Sequence, residues 1–324
     1  MKSILIELPT WLGDAVMATP AFEALAKAYP DAKFTIVGSP VATAALGAHP
    51  QVSRILIDTS RQQRGRLSHL KKLAHDAGPH DLALSFRASL ASKFFLWMSS
   101  SRRTIASKRS FLDRILLSDP VTITPTHQVL KYLQLLAPLG IPADPAPLKL
   151  HHTPYTYPRP TLGLNPGATY GSAKRWYPER FAAVATQLSR QYDIVIFGGP
   201  GEEKIADEIA WRLHQEGLLS VNLAGKTTVK GMIERVAGLS LFITNDSGPM
   251  HVAAAYGVPT VAIFGPTDDT ETSPWMARSR IVRHKIDCAP CKKRICPLGH
   301  HECMKGVTAD MVLLAAQSLI DELT

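Results

Sequence analysis

The stretch LFITNDSGPMHVAAAYGVPTVAIFGP, residues 241–266, decides the fold of this chain. Its first apolar residues predict a buried strand that ends abruptly at NDSG, residues 245–248. Pro249 is favoured in the first turn of a helix because it has no N–H group to leave unpaired. TVAIF, residues 260–264, predicts a second strand. The segment therefore predicts a strand, a turn, a short helix and a strand, with the helix beginning where the first strand ends.

The start of this helix is a candidate anion site. A helix N-terminus presents unpaired N–H groups and a partial positive charge, which suits a phosphate or a negatively charged leaving group. Ser247 and Gly248 lie at that start, and Asp246 and His251 offer side chains that can bond hydroxyl groups beside the anion. A nucleotide-activated sugar combines an anion with hydroxyls, so the turn predicts that class of ligand.

The organisation of the chain predicts two domains. Its 324 residues fit two domains of about 150 residues each. In both halves strands alternate with helices, one of which is predicted over Ala15–Ala28, and this alternation indicates α/β domains with parallel sheets. Seven prolines without helical or strand periodicity over residues 138–160 predict a linker. We therefore expect domains at 1–150 and 161–324, with the strands' carboxyl ends facing a central cleft.

The positive charge is concentrated in the first half. The net charge is +9, and residues 1–150 hold 18 Lys and Arg against 10 Asp and Glu. Most of the excess lies between Arg54 and Arg114, which indicates an anionic partner such as nucleic acid, an acidic lipid surface or a polyanionic substrate. A solvated basic surface fits the same pattern. Residues 94–98, within this region, are apolar and form either a core helix or a contact with a bilayer interface.

Neither the apolar runs of the sequence nor its N-terminal residues predict a targeting segment. No apolar run approaches the roughly 18 residues of a membrane span, and the N-terminus enters a strand-like pattern directly, without a signal peptide. We therefore expect a cytoplasmic protein.

Four residues that follow predicted strands are candidates for chemistry. Asp14 follows the first strand, where it is either the N-cap of the next helix or a general base. Lys174, in TYGSAKRW, is either a point charge on a diphosphate, with Thr169 as a hydroxyl donor, or an exposed surface cation. Glu202 follows GGPG and either accepts a hydrogen bond from a ribose or base or belongs to an ordinary connection.

All cysteines of the chain lie within 16 residues. They are Cys288, Cys291, Cys296 and Cys303, with His300 and His301 among them. The clustering indicates a structural zinc site, but the spacing C-x2-C-x4-C-x6-C lacks two separate C-x2-C pairs. Redox-labile disulfides and unligated thiols remain alternatives.

Three motifs carry a family resemblance over almost the whole chain. WLGD at 11–14, PGATYGSAKRW at 166–176 and TNDSGPMHVAAA at 244–255 resemble the ADP-heptose:lipopolysaccharide heptosyltransferases of glycosyltransferase family 9. The resemblance implies a GT-B fold of two Rossmann-like domains, in which the N-terminal domain receives the acceptor and the C-terminal domain holds the nucleotide sugar. It also implies metal-independent, inverting transfer of heptose from ADP-L-glycero-D-manno-heptose, with no cofactor required.

The acceptor implied by the resemblance is the heptose-I residue of the lipopolysaccharide inner core, on a Kdo2-lipid A-heptose type molecule at the cytoplasmic face of the inner membrane. Transfer to another core position by a type I or type III enzyme, or transfer of another sugar, is the nearest alternative. A nucleotide-sugar epimerase is a further one. A nucleic-acid-binding protein is another, but the basic region lacks aromatic base-stacking platforms, and we expect no nucleic acid partner.

The resemblance also implies roles for individual residues. Asp14 matches the catalytic base, and Lys174 matches the lysine on the donor phosphates. Tyr170 stands where some relatives have a second hydroxyl residue, and the cysteine cluster is absent from many relatives. The implied donor-site residues are Thr169, Glu202, Asp246, Ser247, Gly248 and His251. The candidate acceptor-binding residues are Arg61, Arg64, Arg102 and Arg103.

Overall fold

The computed structural model describes residues 1–60 and 65–322. The chain divides into two compact units, Met1–His151 and His152–Thr324. Each unit is built around its own parallel sheet. The candidate acceptor residues Arg61 and Arg64 lie outside the described residues.

The first unit alternates strands with helices. Within the described residues its elements are β1 (Ser3–Glu7), α1 (Leu12–Met17), α2 (Thr19–Ala28), β2 (Lys33–Gly38), α3 (Pro40–Leu46), β3 (Val52–Ile57), α4 (Arg66–Ala77), β4 (Leu82–Ser85), α5 (Leu90–Met98), β5 (Thr104–Ser107), α6 (Asp113–Leu116), β6 (Asp119–Val121) and α7 (Gln128–Gln134).

The strand order of the first sheet creates a place for a ligand. The order is β3-β2-β1-β4-β5-β6, and the strand pairs are parallel. After β3 the chain returns to the other side of β1, so the loops that leave β1 and β4 diverge from neighbouring strands. Such a switch point, at the strands' carboxyl ends, is where open α/β sheets bind ligands. Asp14 follows β1 at this point.

The second unit repeats the same plan. Within the described residues its elements are β7 (Thr161–Asn165), a 3-10 turn (Ser172–Lys174), α8 (Pro178–Leu188), β8 (Asp193–Ile196), α9 (Glu203–Gln215), β9 (Ser220–Asn222), α10 (Val229–Ala237), β10 (Leu241–Asn245), α11 (Gly248–Ala255), β11 (Thr260–Phe264), α12 (Asp269–Thr272), β12 (Ser279–Arg283), α13 (Glu302–Lys305) and α14 (Ala309–Asp321).

The second sheet has the order β12-β11-β10-β7-β8-β9, so β7 and β10 are the neighbours at its switch point. All residues of β7, β10 and β11 are buried. Strands of a parallel sheet covered on both faces form continuous apolar runs, which is why the opening stretch of sequence was so apolar. Trp176 and Phe181 pack edge to face in the core below the β7 loop.

One sequence prediction differs from the structure, and the structure decides between the two alternatives left open for residues 94–98. The helix predicted over Ala15–Ala28 is two helices, α1 and α2, which meet at Ala18. Pro20 explains the break, because it cannot donate to the preceding turn and takes the second position of a new helix instead. In segment 94–98, Phe95 and Leu96 are buried, whereas the side chain of Trp97 is 58% exposed. The segment is therefore a helix that buries one face in the core and exposes the other face.

No helix among residues 1–60 and 65–322 is long and apolar enough to cross a bilayer.

Candidate active site

Asp14 lies in the first turn of α1, the helix that follows the carboxyl end of β1. The N-cap of α1 is Trp11, in an extended conformation, and Asp14 is the third helical residue. Asp14 is therefore not the N-cap that the sequence allowed as an alternative. Its side chain is half-buried, and the helix start stabilises a negative charge there.

Tyr132, on α7, holds the Asp14 carboxylate. Its hydroxyl donates to Oδ1 of Asp14 at 3.3 Å. Burial and the negative charge of Asp14 raise the pKa of Tyr132 well above 10, although a hydrogen bond from Gln128 opposes the shift. The Tyr132 hydroxyl therefore stays protonated and acts as a donor. The sequence analysis missed Tyr132, because 118 residues separate it from Asp14 and no local motif marks it.

A buried ionic network lies at the same edge of the first sheet. Arg87 pairs with Glu7, the last residue of β1, at 3.2 Å and with Asp58 at 2.7 Å, and its Nε donates to the Leu8 carbonyl. Burial raises the pKa of Glu7, while Arg87 and hydrogen bonds from Ser85 and Ser92 act against the shift. The network fixes the ends of β1 and β4 beside the Asp14 loop, and sequence patterns did not reveal it.

In the second unit, two asparagines organise the loops that leave β7 and β10. The side-chain amide of Asn165 donates to Oγ of Ser247 at 2.9 Å and to Oγ1 of Thr244 at 3.1 Å. The amide of Asn245 donates to the Pro166 carbonyl at 2.7 Å, and its oxygen accepts from the N–H of Trp176. Both asparagines are buried. The two loops are thus tied together at the switch point.

Lys174 and Asp246 form an ion pair at this place. Nζ of Lys174 lies 2.5 Å from Oδ2 of Asp246, and the two side chains are only 12% and 5% exposed. The hydroxyl of Thr267 donates to the same Oδ2 at 2.6 Å. The ring of Tyr170 lies 4.8 Å from the Lys174 ammonium, within cation–π distance. The sequence analysis treated Lys174 and Asp246 as independent groups, and the structure joins them.

The turn 245–251 also contains the other predicted residues. Ser247 is the N-cap of α11, but its hydroxyl accepts from Asn165 and makes no capping bond to the helix. Gly248 is the first helical residue, and His251 is buried in the first turn. Thr169 is exposed on the β7 loop. The structure therefore brings the loops of Lys174, Asp246, Ser247, Gly248 and His251 together within one unit.

Glu202 is buried at the start of α9. Its Oε2 accepts from the N–H of Gly199 at 2.8 Å, and its Oε1 lies 3.9 Å from the Arg175 guanidinium. Within the described part of the chain Oε1 has no hydrogen-bond partner. A Cβ atom at Gly167 would collide with the Glu202 carboxylate, so a larger residue there would displace that carboxylate. Oε1 is therefore a buried acceptor without a donor among the described residues.

Arg102 and Arg103 lie at the opposite edge of the first sheet from Asp14. They precede β5, whereas Asp14 follows the carboxyl end of the parallel strand β1. Arg103 is engaged with Asp119 at 2.9 Å, and Arg102 is 85% exposed near Asp81. The structure does not bring these two arginines to Asp14, because parallel strands carry their first residues to the other edge.

The cysteine segment packs on the loop of Lys174. The Ala173 N–H donates to the Arg294 carbonyl at 3.0 Å, and the Tyr170 hydroxyl donates to the Lys292 carbonyl at 2.8 Å. All four cysteines are free thiols, and Nε2 of His300 lies 4.0 Å from Sγ of Cys288. Burial, together with the charges of the other three thiols, raises the pKa of Cys303 to about 11. The structure does not bring three of these sulfurs within 4.8 Å of one another, and the zinc site stays a prediction.

One group of possible metal ligands escaped the sequence analysis. Among residues 1–60 and 65–322, only Glu23, His49 and His151 place three ligand atoms within 4.8 Å of one another. Nδ1 of His49 accepts from the Gln51 N–H at 3.1 Å, so its proton lies on Nε2. A metal-bound histidine instead donates its second nitrogen. The group fits a metal poorly and acts as a hydrogen-bonded centre around Glu23.

Comparisons with known proteins show which family and which solved structures the chain resembles. The model of the family described as Glycosyltransferase family 9 (heptosyltransferase) matches residues 66–302. The chain is 40% identical over 327 residues to lipooligosaccharide heptosyltransferase 2 of Campylobacter jejuni serotype O:2, which covers 98% of each chain.

Two solved structures are similar along their length. The glycosyl transferase family 9 from Veillonella parvula has a TM-score of 0.84 at 24% identity, covering 99% of this chain and 97% of that one. The Escherichia coli ADP-heptose lps heptosyltransferase II has a TM-score of 0.81 at 25% identity, with full coverage of both. The GT-B fold class predicted from the sequence is confirmed.

Proposed function

Since the chain belongs to glycosyltransferase family 9, the heptosyltransferases, we propose that it transfers L-glycero-D-manno-heptose from ADP-heptose to the heptose-I residue of a lipopolysaccharide inner core. One observation carries this proposal, the 40% identity over 98% of both chains to a lipooligosaccharide heptosyltransferase 2. The acceptor is anchored in lipid, so the enzyme works at the cytoplasmic face of the inner membrane.

Asp14 is the base of this proposed reaction. The acceptor oxygen attacks the anomeric carbon of the heptose while the bond from that carbon to the ADP oxygen breaks, which inverts the configuration. The acceptor proton passes to the Asp14 carboxylate, and such a base contributes about 10²- to 10⁴-fold in rate. The half-buried position of Asp14 and its bond from Tyr132 support this role.

Lys174 and the start of α11 stabilise the leaving diphosphate. An ammonium carries three N–H donors, so Lys174 can hold Asp246 and still donate to a phosphate oxygen. Pro249 has no N–H, so the anion contacts the backbone of its neighbours at the helix start. Charge that develops on the departing ADP is met by groups already in position, which is where electrostatic stabilisation is most effective.

The remaining donor contacts follow from the positions of the polar atoms. Thr267 and Lys174 both bond Oδ2 of Asp246, and we assign Oδ1 to a heptose hydroxyl. Thr169, Ser247, Gly248 and His251 line the donor in this proposal. Oε1 of Glu202 accepts from the ribose, because it is buried and has no hydrogen-bond partner within the described residues.

The acceptor carries carboxylates and phosphates that require cations. Arg61 and Arg64 keep this role in the proposal, because they follow β3 along the chain. We leave Arg102 and Arg103 out, because they precede β5. No metal ion takes part in the proposed reaction, since the cations of the protein meet the diphosphate.

A transfer assay with defined acceptors tests the function. The purified protein is incubated with ADP-L-glycero-D-manno-heptose and with Kdo2-lipid A that carries no heptose, one heptose or two heptoses, and the products are weighed by mass spectrometry. We expect one added heptose on the acceptor that carries a single heptose. Transfer only to the heptose-free acceptor, or only to the acceptor with two heptoses, would overturn the assignment in favour of another core position.

A further inference from the structure

The segment of residues 108–116 exposes three large apolar side chains. The exposed fractions are 73% for Phe111, 58% for Leu112 and 68% for Ile115. A single exposed apolar residue is ordinary, but three within five residues form a patch of the kind that marks an interaction surface. We call residues 108–116 the apolar segment.

A buried ion pair holds the apolar segment in place. Nζ of Lys93, on α5, lies 2.7 Å from Oδ2 of Asp113, and both side chains are at most 2% exposed. The same oxygen accepts from the backbone N–H groups of Arg109 at 2.6 Å and Ser110 at 2.8 Å. Asp113 thus fixes both ends of the turn that presents Phe111 and Leu112. The apolar side chains point into solvent from an anchored backbone.

The charges of the apolar segment select its partner. Arg109 and Arg114 are exposed, and Lys108 is half-buried. The single acidic residue of the segment is Asp113, which is buried and neutralised by Lys93. The segment therefore presents cations around exposed apolar groups. The surface of a bilayer that contains anionic phospholipids offers negative charge and an apolar interior within a few ångströms, and it complements both features.

The apolar segment also lies on the appropriate side of the first unit. It leaves β5 at Ser107, so it begins at the carboxyl edge of the first sheet, where Asp14 follows β1. Leu67 and Leu90, near the starts of α4 and α5, are 69% and 52% exposed at the same edge. A bilayer in contact with this edge faces the side of the unit on which the proposed base lies.

We propose that the apolar segment is a membrane-docking element, in which Phe111, Leu112 and Ile115 enter the headgroup region of an anionic bilayer while Arg109 and Arg114 contact lipid phosphates. The inference rests on the proposed function only in the nature of the acceptor, which is a lipid. Docking restricts the enzyme to the surface on which its acceptor lies.

Vesicle flotation of the full chain tests this docking. The vesicles contain phosphatidylcholine with or without phosphatidylglycerol, and the variant F111S/I115S is compared with the parent and with L219S/L314S. Leu219 and Leu314 are equally exposed residues of the second unit, at 89% and 66%. We expect the parent to bind vesicles with phosphatidylglycerol, the F111S/I115S variant to lose at least about tenfold in partition, and the control to bind like the parent. A second variant, R109E/R114E, should lose the preference for the anionic vesicles.

Equal binding of F111S/I115S and the parent overturns the proposal, and so does an equal loss in the control. Sedimentation velocity tests whether a second copy of the chain binds the patch instead of a bilayer. A parent that self-associates while F111S/I115S is monomeric assigns the patch to that second copy and also overturns the docking proposal.

Heptose transfer to an acyl-free acceptor separates this inference from the proposed function. We expect unchanged transfer by F111S/I115S to that soluble acceptor and slower transfer to acceptor in vesicles. Absence of all transfer by the parent would refute the function and leave the flotation result standing.

Discussion

The ammonium of Lys174 lies 2.5 Å from a carboxylate oxygen of Asp246, across the two neighbouring strands at the switch point of the second sheet. Seventy-two residues separate the pair along the chain. Thr267 donates to the same oxygen, and Asn165 and Asn245 fix the two loops behind the pair. The cation that we assign to the donor diphosphate is therefore held in position before a donor binds, and the anion is the group that holds it.

This coupling predicts non-additive losses. We expect K174Q to lower kcat/KM for ADP-heptose by about 10²- to 10³-fold, as for loss of one preorganised donor to a developing charge. D246N should cost somewhat less, and K174Q/D246N should resemble K174Q, because residues that act as a unit do not add. Steady-state kinetics with thermal unfolding of each variant measure this. Losses that multiply would show that the two residues act independently.

Asp14 should control turnover and not donor affinity. We expect D14A to lose at least about two orders of magnitude in kcat, the usual contribution of a general base, while ADP binding by calorimetry stays near that of the parent. D14N is the matched variant, since it keeps the size of the side chain and removes only its basicity. Retained activity in either variant would exclude Asp14 as the base.

Tyr132 should act through Asp14. Y132F removes one hydroxyl that donates to Oδ1 of Asp14 and leaves the packing of the ring against Phe86. We expect kcat to fall about 10- to 150-fold, the cost of one hydrogen bond to a charged group, with little change in KM for ADP-heptose. In the D14N background the same substitution should have almost no effect. An equal loss in both backgrounds would mean that Tyr132 serves only the fold.

The sequence predicted the places where the candidate site residues follow the strands, but not which of these residues meet there. Buried parallel strands are recognisable as apolar runs, so the end of β10 and the residues after it were correctly located. The pairing of Lys174 with Asp246 depends on β7 and β10 being neighbours, which alternation of strands and helices does not determine. The bond from Tyr132 to Asp14 spans 118 residues and has no local signature.

The remaining differences also have physical causes. The three residues of β6 are too few to show a periodic pattern, and Pro20 divided a helix whose apolar periodicity was otherwise continuous. The placement of Arg102 and Arg103 shows why a cluster of charges in sequence need not be a patch in space. In a parallel sheet the first residues of the strands lie at one edge and the last residues lie at the opposite edge. These arginines precede β5, so they lie at the edge opposite Asp14.

The clustering of the four cysteines in the sequence predicts a bound zinc, although the structure does not bring three of their sulfurs within 4.8 Å of one another. We expect close to one equivalent of zinc per chain, by elemental analysis, in protein purified without chelator, with thiolates of Cys288, Cys291, Cys296 and Cys303 as ligands. Removal of zinc should weaken ADP binding, because this segment packs on the loop of Lys174. C291S/C296S should lose the metal, whereas the parent retains it. Much less than one equivalent in the parent would contradict the zinc site and favour free thiols or disulfides.

Glu23 should make the stability of the chain depend on pH in the acid range. Burial alone would raise the pKa of Glu23, but hydrogen bonds from His49, His151 and Lys149 outweigh it and lower the pKa to about 2. Because the folded pKa lies below the ordinary value of 4.5, the stabilisation is complete above pH 4.5 and is lost as the pH falls toward 2. We expect E23Q to lower the free energy of unfolding by about 1–2 kcal/mol at pH 7. The difference from the parent should shrink as the pH falls below 4.5, as measured by urea unfolding at several pH values. E216Q, at an exposed position, is the control, and its free energy of unfolding should change little at any pH. If E23Q cost the same free energy of unfolding down to pH 2, the carboxylate charge would not be the source of the stabilisation.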